Sequence, residues 1–278
     1  MNLYPVETGN FKLDGGAMFG VVPKSIWQKT NPADSNNMCN WAMRSLLIEE
    51  GNRLILIDTG IGDKQSEKFF SHFYLNGDDT LESSLNKHGF TVNDITDVLL
   101  THLHFDHVGG SVKQTNDLFE LTFPNAKYWS NQKHWDWAIN PNLREKASFL
   151  SENMLPIKDL GHLNFIEKGN ELGENIELLM VDGHTEGQMI PIISYKENKI
   201  AFCADLIPSV GHIKVPYIPS FDTRPLLSMD EKSSFLKRAI NENITLFFEH
   251  DAYNECCTII EGERGIKMKS SFKFNELF

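Results

Sequence analysis

Cysteine is scarce in this chain of 278 residues, and its spacing carries no metal-binding pattern. The four cysteines are Cys39, Cys203, Cys256 and Cys257, and none of them stands in C-x-x-C spacing. A zinc site with cysteine ligands is therefore not expected. The adjacent Cys256 and Cys257 make a poor disulfide pair, so the sequence predicts free thiols in a reducing compartment.

Long apolar runs and an excess of basic residues are also absent. No stretch approaches the ~18 consecutive apolar residues that span a membrane, and residues 1–7 have neither the basic nor the apolar part of a signal peptide. The 26 lysines and arginines are outnumbered by 38 aspartates and glutamates, which gives a net charge of −12. Because phosphate binding requires clustered positive charge, nucleic acid and anionic membranes are not expected partners. The expectation is a cytoplasmic protein.

A dense cluster of metal-ligand residues stands at 101–110, Thr-His-Leu-His-Phe-Asp-His-Val-Gly-Gly, just after the strand-like stretch 97–100. At the two-residue period of a strand, His102 and His104 point to the same side and can bind one metal ion together. Asp106 and His107 lie where the glycine pair ends the strand, and they can bind a second ion. Imidazole and carboxylate ligands suit zinc, with iron, manganese and cobalt as alternatives.

Strands alternate with helices along the whole chain, which indicates an α/β layered fold, here in one domain spanning residues 1–278. The sequence predicts strands at 2–9, 11–14, 40–50, 53–58, 97–101, 176–181, 189–195, 199–203 and 244–248, those at 40–50 and 53–58 forming a hairpin. It predicts helices near 65–75, 81–88 and 230–241 and helical structure from 131 to 151. The aromatic segment from Trp129 to Trp137 is expected to be exposed and is a candidate homodimer face.

Three further ligand candidates each follow a predicted strand. His184 lies between glycines, where the backbone can approach other loops closely, and can supply a third nitrogen to the first metal. Asp205 follows the apolar run 200–204, where a lone carboxylate is costly but one between two cations is stabilised; a turn aspartate is the alternative. His250 taken alone is better interpreted as a core histidine. Ligand sites in layered α/β folds collect at such strand ends, however, which favours ligand roles for all three.

The order of these motifs resembles the metallo-β-lactamase superfamily over nearly the whole chain, through Asp58-Thr59-Gly60, the His102–His107 cluster, Gly183-His184-Thr185, Asp205 and His250. The resemblance implies an αββα sandwich, in which two mixed β-sheets are flanked by helices. It implies two zinc ions per chain, with the first held by His102, His104 and His184, the second by Asp106, His107 and His250, and Asp205 and a hydroxide shared between them. It also implies that Asp58 orients a ligand histidine.

Superfamily membership does not determine the substrate, but several residues reduce the number of branches of the superfamily that this chain resembles. Asp205 argues against the true β-lactamases of this fold, which lack the bridging aspartate. His104 argues against the flavodiiron oxygen reductases, which carry glutamate at that place. Glyoxalase II relatives share the ligand set but carry a basic C-terminal region, for which 267–273 is a weak candidate. The segment 11–20 and the ligand set resemble the quorum-quenching lactonases and the methyl parathion hydrolase-like enzymes.

One departure from the lactonases concerns Pro208, which stands three residues beyond the bridging aspartate. Many acyl-homoserine lactonases place there a tyrosine that touches the substrate carbonyl. His212 and Tyr217 are candidates to fill that role, and Phe19 is a candidate apolar contact for an acyl chain. Ordinary packing is the alternative for His212 and Phe19.

The sequence therefore predicts a zinc-dependent hydrolase that opens the ester bond of small lactones, foremost N-acyl-homoserine lactones in quorum quenching. The expected mechanism is attack by a metal-bridging hydroxide, with Asp106 carrying a proton to the leaving group. A phosphotriesterase and a thioesterase of the glyoxalase II type are the alternatives among enzymes. A non-catalytic metal-binding module is disfavoured, because degenerate members typically lose a ligand and none is missing here.

Overall fold

The computed structural model describes residues 1–277; Phe278, the last residue of the predicted domain, lies outside them. The chain divides into two compact units. The first comprises Met1–Gly9 and Met43–Glu174, and the second comprises Asn10–Ala42 and the chain from Asn175 onward. A single domain over residues 1–278 stays a prediction.

The first sheet has six strands, which are β1 (Asn2–Asp14), β2 (Met38–Glu50), β3 (Arg53–Ile57), β4 (Asp97–Leu99), β7 (Lys127–Ser130) and β8 (Leu163–Phe165), in that spatial order. β2 and β3 pair antiparallel, with Leu46 opposite Ile57, which confirms the predicted hairpin. β3, β4, β7 and β8 run parallel to one another, so the sheet is mixed. A separate hairpin is formed by β5 (Val112–Thr115) and β6 (Leu118–Leu121).

The second sheet also has six strands, which are β9 (Ile176–Val181), β10 (Gln188–Tyr195), β11 (Asn198–Phe202), β12 (Ile244–Phe247), β13 (Cys256–Gly262) and β14 (Gly265–Phe272). Their spatial order is β14-β13-β12-β11-β10-β9. The pair β11 and β12 is parallel and the other pairs are antiparallel, so this sheet is mixed as well. Two large mixed sheets with flanking helices confirm the predicted α/β fold class.

The α-helices are α1 (Gly15–Phe19), α2 (Lys24–Trp27), α3 (Glu67–Phe70), α4 (Leu81–Lys87), α5 (Phe105–Val108), α6 (Gln132–Ile139), α7 (Ser151–Asp159) and α8 (Pro225–Asn241). The helix predicted at 230–241 begins earlier, because Pro225 suits the first helical turn. The helical segment predicted from 131 to 151 stops at Ile139, since Pro141 disfavours helical backbone at the residue before it. Within residues 1–277, no helix has the length and apolar character needed to cross a membrane.

Each unit buries its own apolar side chains. In the first unit, Leu56 and Val98 from the sheet join Trp135 from α6 and Ile157 from α7 in one buried cluster. In the second unit, α8 packs against β12 and β13 and buries Phe235 among its apolar residues. These packed layers support the loops that carry the candidate ligands.

The aromatic segment from Trp129 to Trp137 is not the exposed face that the sequence predicted. Trp135 is buried, with 2 % of its surface exposed. Trp129 and Trp137 are half-buried, and their indole N–H groups donate to carboxylates, Trp129 to Asp97 and Trp137 to Glu145, each over 2.8 Å. These contacts remove the argument that this segment is a dimer face, and the homodimer itself stays a prediction.

Two turns of the first unit pack closely against each other at positions where glycine leaves room for the neighbouring backbone. The turn after β3 and the segment after α5 exchange backbone hydrogen bonds, from Thr59 N–H to the His107 carbonyl (2.8 Å) and from Gly110 N–H to the Gly60 carbonyl (2.9 Å). A β-carbon on Gly110 would collide with the carbonyl oxygen of Thr59. Because the obstacle is backbone that cannot rotate away, this close approach tolerates no side chain and fixes the position of His107.

We expect Gly110→Ala to lower the free energy of unfolding by at least about 3 kcal/mol, because the added methyl group forces the two turns apart. Chemical denaturation of both proteins measures the loss. The matched control is Gly16→Ala, whose β-carbon would come no closer than 3.0 Å to a movable carboxylate oxygen of Asp14. Equal stability of Gly110→Ala and wild type would contradict the close approach.

Candidate metal centre

The cluster at 102–107 lies in a turn and a short helix rather than at the end of a strand. β4 ends at Leu99, and α5 begins directly after His104 and carries Asp106 and His107. The predicted alternation of His102 and His104 along a strand is therefore wrong. The two rings nevertheless lie close, with centroids 4.6 Å apart and one nitrogen of each within 4.8 Å of the other. The His107 ring lies 3.9 Å from that of His102, so the turn gathers these imidazoles.

Asp58 determines which nitrogen of His102 and of His107 carries the proton. Its buried carboxylate accepts hydrogen bonds from the Thr101 backbone N–H (2.8 Å) and hydroxyl (2.6 Å) and lies 3.1 Å from Nδ1 of His107. Since the Thr101 hydroxyl gives its proton to Asp58, its oxygen accepts from Nδ1 of His102 at 3.1 Å. Both neutral rings are thus protonated at Nδ1, which leaves Nε2 as the nitrogen able to bind a metal.

Glu145 determines which nitrogen of His104 carries the proton, and here that nitrogen is Nε2 rather than Nδ1. Its Oε1 lies 3.4 Å from Nε2 of His104, and its side chain is 3 % exposed. The second oxygen of the carboxylate accepts from Trp137 Nε1 (2.8 Å) and from the amide of Asn142 (2.5 Å). With Nε2 donating to Glu145, the neutral ring of His104 keeps Nδ1 as its metal-binding atom.

In the second unit, Asp205 lies between two imidazoles. Nε2 of His184 is 3.1 Å from one carboxylate oxygen of Asp205, and Nε2 of His250 is 3.1 Å from the other. Nδ1 of His184 contacts Asp222 and Nδ1 of His250 contacts the Ala42 carbonyl, each at 2.9 Å. A carbonyl only accepts, so Nδ1 of His250 carries a proton, and in the neutral ring Nε2 is then an acceptor that faces a carboxylate. Two acceptors facing each other fit a cation between them, and this donor set suits divalent metals.

The electrostatics around His184 also favour a cation. Burial alone would lower the pKa of its imidazole, but the carboxylates of Asp205 and Asp222 outweigh it and raise the pKa to about 10. Positive charge is therefore stabilised at Nε2 of this ring.

Strained backbone occurs at two of these positions. Asp58 has φ 56° and Ala204, the residue before Asp205, has φ 40°, which is left-handed backbone that residues other than glycine rarely adopt. Ala204 opens the 3₁₀ turn Ala204–Leu206 that carries Asp205. Such strain costs of the order of 1 kcal/mol and persists where the surrounding structure requires it, which is common at functional sites.

Glu145 and Asp222 are site residues that the sequence reasoning missed. They stand 41 and 38 residues after the histidines that they contact, in segments without a recognisable motif. Glu145 lies between Arg144 and Lys146, and Asp222 lies between Phe221 and Thr223, which are settings that many exposed acidic residues share. Asp58, which the sequence did single out, lies against His107.

The candidate substrate contacts Phe19 and His212 lie in the core of the second unit. Both are fully buried, and their rings stack at 4.3 Å. Nδ1 of His212 contacts the Ser209 hydroxyl at 2.8 Å, and Nε2 contacts the Met18 carbonyl at 2.9 Å. Burial lowers the pKa of His212 to about 3, so the ring is neutral. Both nitrogens are engaged, and a hydrogen bond to substrate would require one of these contacts to break.

The imidazole and carboxylate clusters and their orienting acceptors, carried on two mixed sheets, form a donor set suited to divalent metal ions. The sequence model of the Metallo-beta-lactamase superfamily matches residues 44–250, and the chain belongs to that superfamily. It is therefore a metallo-hydrolase of this family, as the motifs predicted.

Similar proteins include lactonases and a hydrolase. An N-acyl homoserine lactonase of a Bacillus species is 27% identical over 282 residues, covering 96% of each chain. The solved structure of a probable metal-dependent hydrolase from Staphylococcus aureus is similar with a TM-score of 0.89 and 29% identity, over 100% of this chain and 98% of that one. AidC, described as a dizinc quorum-quenching lactonase, has a TM-score of 0.80 at 24% identity, over 98% of this chain and 95% of its own, which shows a shared fold.

We expect the affinity for divalent metal to rise with pH, because at neutral pH a metal must displace the proton that Asp205 and Asp222 hold on His184. Below a pKa of about 10, each proton displaced raises the apparent affinity roughly tenfold per pH unit. Competition with a chromogenic chelator at about pH 6.5, 7.5 and 8.5 measures this slope. The exposed His72→Gln variant is the control and should keep it. Affinity that is independent of pH would refute the expectation.

Proposed function

We propose that this chain is a dinuclear metal-dependent lactonase that opens the ester ring of N-acyl-homoserine lactones. The observation that carries the proposal is Asp205, whose two oxygens each face the Nε2 of a different histidine at 3.1 Å. A carboxylate in that position suits a bridge between two cations. The 27% identity to an N-acyl homoserine lactonase over nearly the whole of both chains supports the substrate class.

The proposed ligand sets are those that the family resemblance implies. His102, His104 and His184 would hold the first ion, Asp106, His107 and His250 would hold the second, and Asp205 would serve both. Zinc is the proposed metal, with iron, manganese and cobalt as alternatives, since imidazole and carboxylate donors suit all of them. The buried acceptors Asp58, Glu145 and Asp222 hold the ligand rings in the required tautomers.

Two divalent ions held by these residues would supply a nucleophile at neutral pH, by lowering the pKa of a bound water, and would polarise the ester carbonyl. Asp106 carries the proton from the attacking group to the departing alkoxide. Its side chain is 13% exposed, whereas that of the neighbouring His107 is fully buried, so Asp106 retains access to solvent and substrate. Its Oδ1 is 3.9 Å from Nε2 of His107, close enough to act beside the metal ligands.

An aromatic cluster beside Asp106 supports an apolar acyl chain in the substrate. Phe105 directly precedes Asp106, and its ring lies 5.3 Å from that of Phe69 and 4.8 Å from that of Phe73. Phe69 and Phe73 are themselves 5.0 Å apart, and all three are half-buried. Half-buried rings still present apolar surface, and we propose that they contact the acyl chain.

Phosphotriester hydrolysis is the second candidate function, and Pro208 favours it. Pro208 occupies the place of the lactonase tyrosine and is buried, and its side chain has no hydroxyl to offer to a lactone carbonyl. A hydroxide activated by ions at the same residues would be able to attack phosphorus or the carbonyl of a thioester. A cytoplasmic location and the absence of nucleic-acid partners stay predictions.

We expect the zinc-loaded protein to release protons from short- and long-chain N-acyl-homoserine lactones with a kcat/KM on the order of 10⁴ M⁻¹ s⁻¹ or more. Ring opening should cease with a chelator and return when zinc is restored, since the ions supply the nucleophile. A pH-indicator assay measures the rate, with zinc alone as the control. If protein that holds two ions hydrolyses no lactone, the lactonase proposal is rejected, and phosphotriesters and thioesters become the favoured substrates.

We expect Asp106→Asn to lose at least two orders of magnitude in kcat/KM, a loss of ~3 kcal/mol in transition-state stabilisation, because the amide cannot carry the proton. Steady-state kinetics on the best lactone measures the change. Asp117→Asn, an equal change of charge on the exposed β5–β6 turn, is the matched control and should retain full activity. Near wild-type turnover by Asp106→Asn would rule out the proton-transfer role.

A further inference from the structure

The loop that carries His184 is held by the start of helix α8. It joins β9 to β10, and its backbone polar groups bond to residues 223–231 instead of to a neighbouring strand. The Thr223 N–H donates to the His184 carbonyl (3.0 Å), and the Arg224 N–H donates to the Gly183 carbonyl (2.9 Å). The Arg224 guanidinium donates to the Asp182 carbonyl (2.8 Å). The position of His184 is therefore set by residues outside the loop.

Glu231 completes this arrangement from about two turns further along α8. Its Oε1 accepts the Asp182 N–H at 2.7 Å and its Oε2 accepts the Gly183 N–H at 2.9 Å. One carboxylate thus binds two consecutive backbone donors that lead into His184. A β-carbon on Gly183 would collide with the Ser228 backbone, which shows how closely the loop lies against the helix.

We infer that Glu231 is a positioning residue for the metal centre, which fixes the His184 loop so that Nε2 of His184 keeps its place at Asp205. The inference rests on the proposed metal-dependent function but not on a lactone substrate. A metal ligand must be held to within a few tenths of an ångström, and two charge-assisted hydrogen bonds to a loop backbone supply that restraint.

The surroundings of Glu231 show why a carboxylate is needed there. Burial raises the pKa of its carboxyl and the nearby Asp182 and Asp222 add to this, whereas the two N–H groups favour the charged form. A neutral glutamine has the same shape but only one acceptor atom, and its NH₂ group would face a backbone N–H. Glu231→Gln therefore loosens the loop while leaving the packing of α8 in place.

The test compares Glu231→Gln with Asp230→Asn, which removes the same charge from the adjacent, exposed residue of α8. Cobalt(II) is the probe, because its visible absorption reports ligand geometry. We expect Glu231→Gln to bind cobalt roughly tenfold to a hundredfold more weakly, by chelator competition, and to shift its visible spectrum. Asp230→Asn should match wild type in both, and thermal unfolding of the metal-free proteins shows whether the fold is kept.

A Glu231→Gln variant that binds two cobalt ions with wild-type affinity and spectrum would overturn the positioning role. So would equal weakening by Glu231→Gln and Asp230→Asn, which would indicate an effect of net charge alone. Glu231→Asp, which restores the carboxylate, should recover part of the affinity. Failure of the lactonase proposal is seen separately, as a wild-type protein that holds two ions and hydrolyses no lactone.

Discussion

The candidate centre depends on one constraint, which is that a neutral imidazole binds a metal only through the nitrogen that carries no proton. The other nitrogen must then donate to a buried acceptor. Thr101 supplies that acceptor for His102, and Asp58 supplies it for His107. Glu145 supplies it for His104, and Asp222 supplies it for His184. A buried carboxylate is costly unless it accepts hydrogen bonds. Because these carboxylates accept them from the ligand loops, they also hold the loops against the packed layers of their own units.

This constraint explains why the ligands lie on turns with unusual backbone. Asp58, whose own backbone is left-handed, contacts both Thr101 and His107. The turn that carries it can approach the segment after α5 only because Gly110 has no side chain there. In the second unit, Ala204 adopts a similar conformation immediately before Asp205. The local strain is offset by hydrogen bonds to neighbouring elements, as is usual where a side chain must point in a fixed direction.

Sequence reasoning found what is local and missed what is distant. The β2–β3 hairpin, the mixed α/β class and the gathering of the 102–107 imidazoles follow from short patterns and strand ends. The backbone of that cluster did not follow, because strand β4 ends at Leu99, before the apolar run does, and a helical turn begins after His104. Glu145 and Asp222 were missed because only tertiary folding brings them to their histidines. Trp135 was expected at the surface because aromatic residues in a polar segment do not reveal which face is buried.

Metal binding and substrate choice rest on different residues, so the metal ligands do not determine which substrate is bound. The imidazoles and carboxylates are those of a whole superfamily, and their geometry serves esters, thioesters and phosphotriesters alike. What distinguishes these substrates is the apolar and polar surface beside the metals. Here Pro208 and His212 are buried in the core. The rings of Phe69, Phe73 and Phe105 are half-buried. Selectivity in this chain should therefore depend on apolar contact more than on a hydroxyl directed at the scissile group.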